Sequence, residues 1–347
     1  MKLKKQPLFY LPLIVFILLF TSCGGNKGKE QQTEKQPAKS QEIKTNAESQ
    51  ALLDYLVELG DYANSRDFPS LIKASVVYDE LNDNNLIIDL RNKETYADGH
   101  IKGAVNIDFK TLPEYFSQEI KPFEYNRIVL VCYAGQIASY ASSLLRLKGY
   151  GNVYAMRWGM SGWNPKFAKD SWFDAVGSEF QEDLETTDRE KAPKAALPEL
   201  NTGETSGEKI LEARIDSLFH AGFRDALIYA DGLFESPEDY YIINYDRRDK
   251  YESGHIPGAI RYKPGATLGI KSEMETIPSD KKVVTYCTTG HTSGFVTAYL
   301  RLFGYDAKTL AYGNNSFMYD KMVEDKDSLS WLPFTEHEVE EYPYVTN

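Results

Sequence analysis

RIVLVCYAGQIASYASSLLRLKGYG, residues 127–151, and KVVTYCTTGHTSGFVTAYLRLFGYD, residues 282–306, decide how this chain is read. Each opens with a short β-branched run lacking polar alternation, the pattern of a strand buried on both faces of a parallel sheet. Each then passes a cysteine and a glycine and continues with helical spacing. In the first, Tyr140, Leu144 and Leu147 share one face, and Gly149 or Gly151 stops the helix. A cysteine at the carboxyl end of such a strand sits on the edge where open parallel sheets bind ligands.

Outward from these stretches the likeness continues. IIDLRNKETYADGHIKGAVNI (87–107) and IINYDRRDKYESGHIPGAIRY (242–262) are displaced by 155 residues, the same displacement that separates Cys132 from Cys287. Tyr96 and Tyr251, His100 and His255, Gly135 and Gly290, and Arg146 and Arg301 keep it, with no gap over more than sixty positions. Solenoid repeats run at about 20–50 residues, so a unit this long is a duplicated domain. The expected organisation is two α/β domains, 51–176 and 208–347, each a mainly parallel sheet flanked by helices. A polar connector at 177–207 joins units expected to fold separately.

The chemistry expected of the cysteine loops follows from sulfur. A sulfur nucleophile acts as thiolate, and an ordinary cysteine has a pKa of about 8.5, which a helix N-terminus lowers. Gly135 and Gly290 let each loop curl so that successive N–H groups form a nest for an anion, first the thiolate and then the outer sulfur of a persulfide. The competing reading is two inert, buried cysteines inherited by duplication.

GHIKGA and GHIPGA after an IID-type strand, followed by strand-Cys-x-x-Gly-x-x-helix, resemble the rhodanese (sulfurtransferase) domain, twice, over about 75–165 and 230–320. The resemblance implies transfer of sulfane sulfur from a donor such as thiosulfate, through a cysteine persulfide, to a thiol or cyanide acceptor, with no cofactor. It makes Cys132 and Cys287 the catalytic candidates. The substrate-binding loops are Tyr133, Ala134, Gly135, Gln136 and Ile137, and Thr288, Thr289, Gly290, His291 and Thr292. Asp89 and Arg91 match the family's supporting Asp-x-Arg, where the second unit has Asn244 and Asp246; Ile137 stands where the second unit has Thr292. His291 is a candidate for meeting substrate at the loop mouth, whereas His100 and His255 are expected to be structural. Arg157, Trp158 and Trp163 are expected to pack beneath the site. The phosphatases sharing this fold need an arginine where Ala138 and Ser293 stand, so the phosphate clamp is missing. One Cys and one His do not make a zinc site. The alternative is a sulfur-binding or redox-sensing protein without turnover.

The N-terminus reads as an export signal: Lys2, Lys4 and Lys5, an apolar run from Leu8 to Phe20, then Thr21-Ser22-Cys23-Gly24. It resembles a bacterial lipoprotein signal, which implies that residues 1–22 are removed and that Cys23 is acylated. Residues 23–50 would then tether the protein to a membrane of the cell envelope, facing the periplasm. With the three leader lysines removed, 36 Lys and Arg stand against 51 Asp and Glu, a net −15. Such a chain repels nucleic acid. The 42% hydrophobic content is that of a globular protein.

Overall fold

The β-branched runs become the middle of two five-stranded sheets. In the first, β1 (Leu71–Ile72), β2 (Asn85–Asp89), β3 (Val105–Asn106), β4 (Arg127–Val131) and β5 (Val153–Met156) lie in the order β1-β5-β4-β2-β3, every pair parallel. In the second, β6 (Leu227–Ile228), β7 (Tyr240–Asn244), β8 (Ile260–Arg261), β9 (Lys282–Tyr286) and β10 (Ala307–Leu310) repeat it as β6-β10-β9-β7-β8, again all parallel. The chain therefore has the expected class, two parallel-sheet α/β units flanked by helices. These strands come from a computed structural model that describes residues 45–271 and 273–346. The export signal, Cys23 and most of the expected tether lie outside the described residues.

The strand order places the cysteines. From β2 the chain steps outward to β3, then returns to β4 and steps the other way to β5. The crevice beyond the carboxyl ends of β2 and β4 is thus a topological switch point, where ligands bind in open sheets. Asp89 ends β2, and Cys132 follows β4 directly.

The helices after the cysteines, Gln136–Leu147 and His291–Leu302, do more than the sequence pattern suggests. Expected to bury one face, the first buries every residue except Ile137. One side covers its own sheet and the other packs on His291–Leu302 of the second repeat. Small side chains let the two approach: Gly294 lies against Ser139, and the Ser143 hydroxyl donates to Phe295 O at 3.0 Å. Leu130 and Leu144 share one apolar cluster with Phe295 and Tyr299. Each such side chain contributes about 1.5–3 kcal/mol by leaving water. The repeats therefore share a core instead of packing as separate units, and the described residues of both form one compact body.

The segments after each sheet cross to the other repeat. The stretch expected as a solvated connector lies along the second repeat: Glu185 forms an antiparallel bridge with His255, Ala195 N–H donates to Glu275 O at 2.7 Å, and Leu197 and Leu200 are buried. The C-terminal tail returns the exchange, with Val345 bridging His100, and Tyr342 stacked on Tyr78 at 4.0 Å. Helix formation also begins earlier than expected. Asn46 accepts N–H from Glu48 and Ser49 and caps Ala47–Glu58, so residues 47–50 are helical rather than tether. That helix packs on Gly207–Ala221.

Candidate functional site

Gly135 and Gly290 have φ of +90° and +76°, the left-handed turn that swings each chain from strand into helix. Cys132 is 1% exposed, and Gly135 N–H donates to its Sγ at 3.1 Å. Burial pushes the Cys132 thiol up from its ordinary value, while the N–H groups of Ala138, Gly135, Ala134 and Ile137 pull it back. The nest is present, yet the expected lowering is not, because desolvation outweighs the backbone donors. Cys287 is also pushed up, first by burial and then by the Asp246 carboxylate; the N–H groups of Ser293 and Thr289 and the Ser293 hydroxyl oppose this. Its sulfur accepts Ser293 N–H at 3.4 Å. A raised thiol pKa leaves less thiolate at neutral pH, and Cys287 alone has a facing carboxylate that adds to the burial.

The ends of β2 and β7 differ in the same sense. Asp89 and Arg91 form a buried, two-pronged ion pair, 2.7 Å at its shortest, and Arg91 also donates to Gly99 O at 2.6 Å. In the second repeat Asp246 has no such arginine. Its carboxylate accepts the Thr288 hydroxyl at 2.9 Å, and the buried Lys250 ammonium donates to the same hydroxyl at 3.0 Å while lying 4.6 Å over the Trp331 ring. These groups close around the second loop, whose residues from Cys287 to His291 are all buried; Thr292 is half-buried.

Cys132 instead opens onto a cavity of about 890 Å³. Tyr133, Ala134, Gln136 and Ile137 of its own loop line it, and so do Phe223, Arg224, Leu227, Tyr229 and Tyr312 of the second repeat. Sequence reasoning missed this second set. No local signal marks residues some 90 to 180 positions away, and only the shared core brings them in. A volume of this size falls in the range of about 300–1,000 Å³ typical of small-molecule sites.

The two cysteine loops are also interlocked. Gln136 and His291 each stand four residues after a cysteine, and each reaches into the other repeat. Gln136 donates from Nε2 to Leu310 O at 3.2 Å and accepts Tyr312 N–H at 2.9 Å. His291 places Nε2 3.0 Å from Ala134 O and Nδ1 2.8 Å from the Thr289 hydroxyl. The glycines gain a second reason to be glycine, since a Cβ on Gly135 would collide with His291, and one on Gly290 with Gln136. His291, a candidate for the loop mouth, is fully buried and points away from solvent.

Trp158 and Trp163 pack as expected and also hold the tail: Trp158 Nε1 donates to Glu338 at 3.1 Å and Trp163 Nε1 to Pro343 O at 2.9 Å. Burial lowers the pKa of Arg157, with the Glu338 carboxylate opposing. His100 and His255 stack on Tyr96 and Tyr251 and place Nδ1 2.8 Å from the carbonyls of those tyrosines. Among the described residues no group of three or more His, Cys, Asp and Glu is arranged to hold a metal, and no helix is long and apolar enough to cross a membrane.

Comparison with known proteins adds the following. A profile of the rhodanese-like domain matches residues 73–166 and 230–319. The thiosulfate sulfurtransferase GlpE of Shewanella oneidensis is 32% identical over 79 residues, 22% of this chain and 74% of that protein. The tRNA uridine(34) hydroxylase of Acinetobacter baumannii is 28% identical over 137 residues, 38% of this chain and 41% of the hydroxylase, so the match spans about two fifths of that relative's length. Among solved structures, the 3-mercaptopyruvate sulfotransferase SseA from Escherichia coli aligns over 70% of this chain and 97% of its own, at 18% identity and a TM-score of 0.26.

Proposed function

The chain belongs to the rhodanese-like domain family, and from that premise we propose that it moves sulfane sulfur through a persulfide on Cys132. The observation that carries this reading is the position of Cys132, a residue lining the cavity whose sulfur accepts the Gly135 N–H of the backbone nest. The thiolate attacks the outer sulfur of a donor R–S–SH, the donor's S–S bond breaks, and RS⁻ leaves with the electron pair and takes up a proton. An acceptor thiolate then attacks the outer sulfur now held on Cys132, and Cys132 departs as thiolate. Atoms and electrons balance without an added oxidant. Because burial raises the Cys132 pKa, the thiolate fraction and the rate rise with pH through the alkaline range. Cys287, enclosed and facing Asp246, supports the non-turnover reading for that cysteine alone.

The cavity also bears on the donor. Its lining carries Asp108, Asp170 and Asp225 against Lys110 and Arg224, a net −1, and much of the remaining wall is aromatic or aliphatic. At about 30 Å³ per water, it has room for roughly thirty waters, far more than an inorganic dianion needs. An organic sulfane, a small-molecule thiol carrying one extra sulfur, fits these walls better than thiosulfate. Mass spectrometry of the protein after exposure to each donor should find one added sulfur on the Cys132 peptide, loaded faster from cysteine persulfide than from thiosulfate. Tyr229 stands exposed at the rim. Tyr229→Ala should raise half-saturation for the organic donor several-fold, equivalent to about 1 kcal/mol of lost contact, and leave thiosulfate unchanged. If no sulfane donor puts sulfur on Cys132, the enzymatic reading is wrong.

For the N-terminus, outside the described residues, we propose acylation of Cys23 as the membrane attachment, on the signal-like run that precedes it. Cys23→Ala should move the protein from the membrane to the soluble fraction of labelled cells. Its continued full retention in membranes would exclude this anchor.

A further inference from the structure

One peptide unit joins the two repeats at the first cysteine. The carbonyl of Ala134 and the N–H of Gly135 belong to the same planar trans amide and point in opposite directions. The N–H side donates to Cys132 Sγ at 3.1 Å. The carbonyl side faces two ring nitrogens, Trp172 Nε1 at 3.1 Å and His291 Nε2 at 3.0 Å. Trp172 follows the first sheet, whereas His291 opens the helix after the second cysteine.

Resting on the reading of Cys132 as the sulfur carrier, we propose that His291, from the second cysteine loop, is a positioning residue for Cys132, holding the Ala134 carbonyl so that the Gly135 N–H is aimed at the sulfur. Nε2 has two polar neighbours, Ala134 O at 3.0 Å, which can only accept, and the Trp158 N–H at 3.3 Å, which can only donate; the shorter contact is favourable only when Nε2 carries the hydrogen, since two acceptors would otherwise face each other. A neutral imidazole carries one hydrogen; placed on Nε2 it donates to Ala134 O, and Nδ1 accepts the Thr289 hydroxyl at 2.8 Å. The tautomer is assigned from these partners. Burial keeps the ring neutral, lowering its pKa to about 3, and the nearby Arg157 guanidinium acts in the same direction. Trp158 and Trp172 rings at 5.2 and 5.9 Å wall the imidazole in.

Two effects follow for Cys132. Pinned by two donors, the amide cannot rotate its N–H away from the sulfur when the thiolate forms or when a second sulfur is added. Hydrogen bonds in series also polarise each other, so donation into the carbonyl strengthens the N–H as a donor to charge. The second repeat thus contributes to the first cysteine's reactivity from within its own cysteine loop, independently of any sulfur on Cys287. Gln136, the counterpart in the first loop, donates to Leu310 O and, at 3.4 Å, to Gly290 O and accepts Tyr312 N–H, so it reaches the second cysteine loop one peptide beyond the equivalent Thr289–Gly290 amide.

The test uses the full chain and reads the thiol rather than sulfur transfer, so its failure is distinguishable from failure of the sulfurtransferase reading. The rate of iodoacetamide alkylation at Cys132 is followed against pH by mass spectrometry of its peptide. His291→Met keeps bulk without an N–H donor; His291→Gln keeps a donor on a side chain of the kind Gln136 already uses across the same junction. His291→Met should slow Cys132 alkylation about tenfold at fixed pH and move the profile about one unit to the alkaline side, the scale of one hydrogen bond to a charged group. His291→Gln should restore most of the rate. Trp172→Phe, which removes the companion donor and keeps a ring, should shift the profile in the same direction. An unmoved Cys132 profile in the folded His291→Met or Trp172→Phe protein, or equal behaviour of His291→Met and His291→Gln, overturns the proposal.

Discussion

Cys132→Ser is expected to lower sulfur transfer on the order of a thousandfold or more, while Cys287→Ser retains most of it. Serine preserves the shape of the loop and can still accept the Gly135 N–H, so the fold has no reason to change. What disappears is the one thiol among the residues lining the cavity, the group able to form a bond to sulfane sulfur and release it again. A hydroxyl is a far poorer nucleophile at neutral pH, and removal of a covalent nucleophile is among the largest single effects in enzyme kinetics. The inequality between the two cysteines follows from their surroundings. Cys132 lines the cavity, whereas Cys287 is not among its lining residues and sits in a buried loop, with the Asp246 carboxylate opposing its ionisation. Initial rates of transfer from cysteine persulfide to a thiol acceptor would check this. Wild-type rates in Cys132→Ser, with the loss confined to Cys287→Ser, would assign turnover to the second site.

Asp89→Ala is expected to cost about 3–5 kcal/mol of stability and to lower the melting temperature by roughly 10 °C. Both charged side chains of the Asp89–Arg91 pair are 1% exposed. Removing the carboxylate strands a guanidinium that retains the Gly99 carbonyl and the Phe167 ring at 5.2 Å, neither of which neutralises its charge. The cost comes from the buried, unpaired cation more than from the lost attraction. Replacing both partners separates these terms: Asp89→Leu with Arg91→Met leaves no buried charge and should recover most of the loss. A melting curve for Asp89→Ala within about 2 °C of wild type would show that water or a local shift relieves Arg91.

The supporting pair shows how far sequence reading reached. Asp89 and Arg91 were legible as a unit by their spacing after a strand, and the structure places both at the end of β2. Their role was less legible, because a motif does not state whether an arginine faces substrate or backbone; here it is spent on Asp89 and Gly99 O. The buried place of His291 is hidden along the chain for a similar reason. Four residues after a cysteine at a helix start, a histidine facing solvent and one facing another domain look alike along the chain. One signal does stand in the sequence, since both repeats put a long polar side chain, Gln136 or His291, at that same place.

The sequence by itself determined the duplicated β-α units, the parallel strands, the glycine turns and the placing of each cysteine where a strand gives way to a helix. These are decided within a dozen residues, by hydrophobic period, β-branching and the φ > 0 that only glycine adopts freely. Only the tertiary structure decided which cysteine meets a cavity, why the post-cysteine helices are buried on nearly every side, and that each cysteine loop is held by the other. Those outcomes depend on groups more than 130 residues apart, such as His291 and Trp158, whose rings lie 5.2 Å from each other. They meet because helices Gln136–Leu147 and His291–Leu302 each retain a second face of small and apolar side chains after covering their own sheets. The largest gain from removing those faces from water comes when they pack on one another.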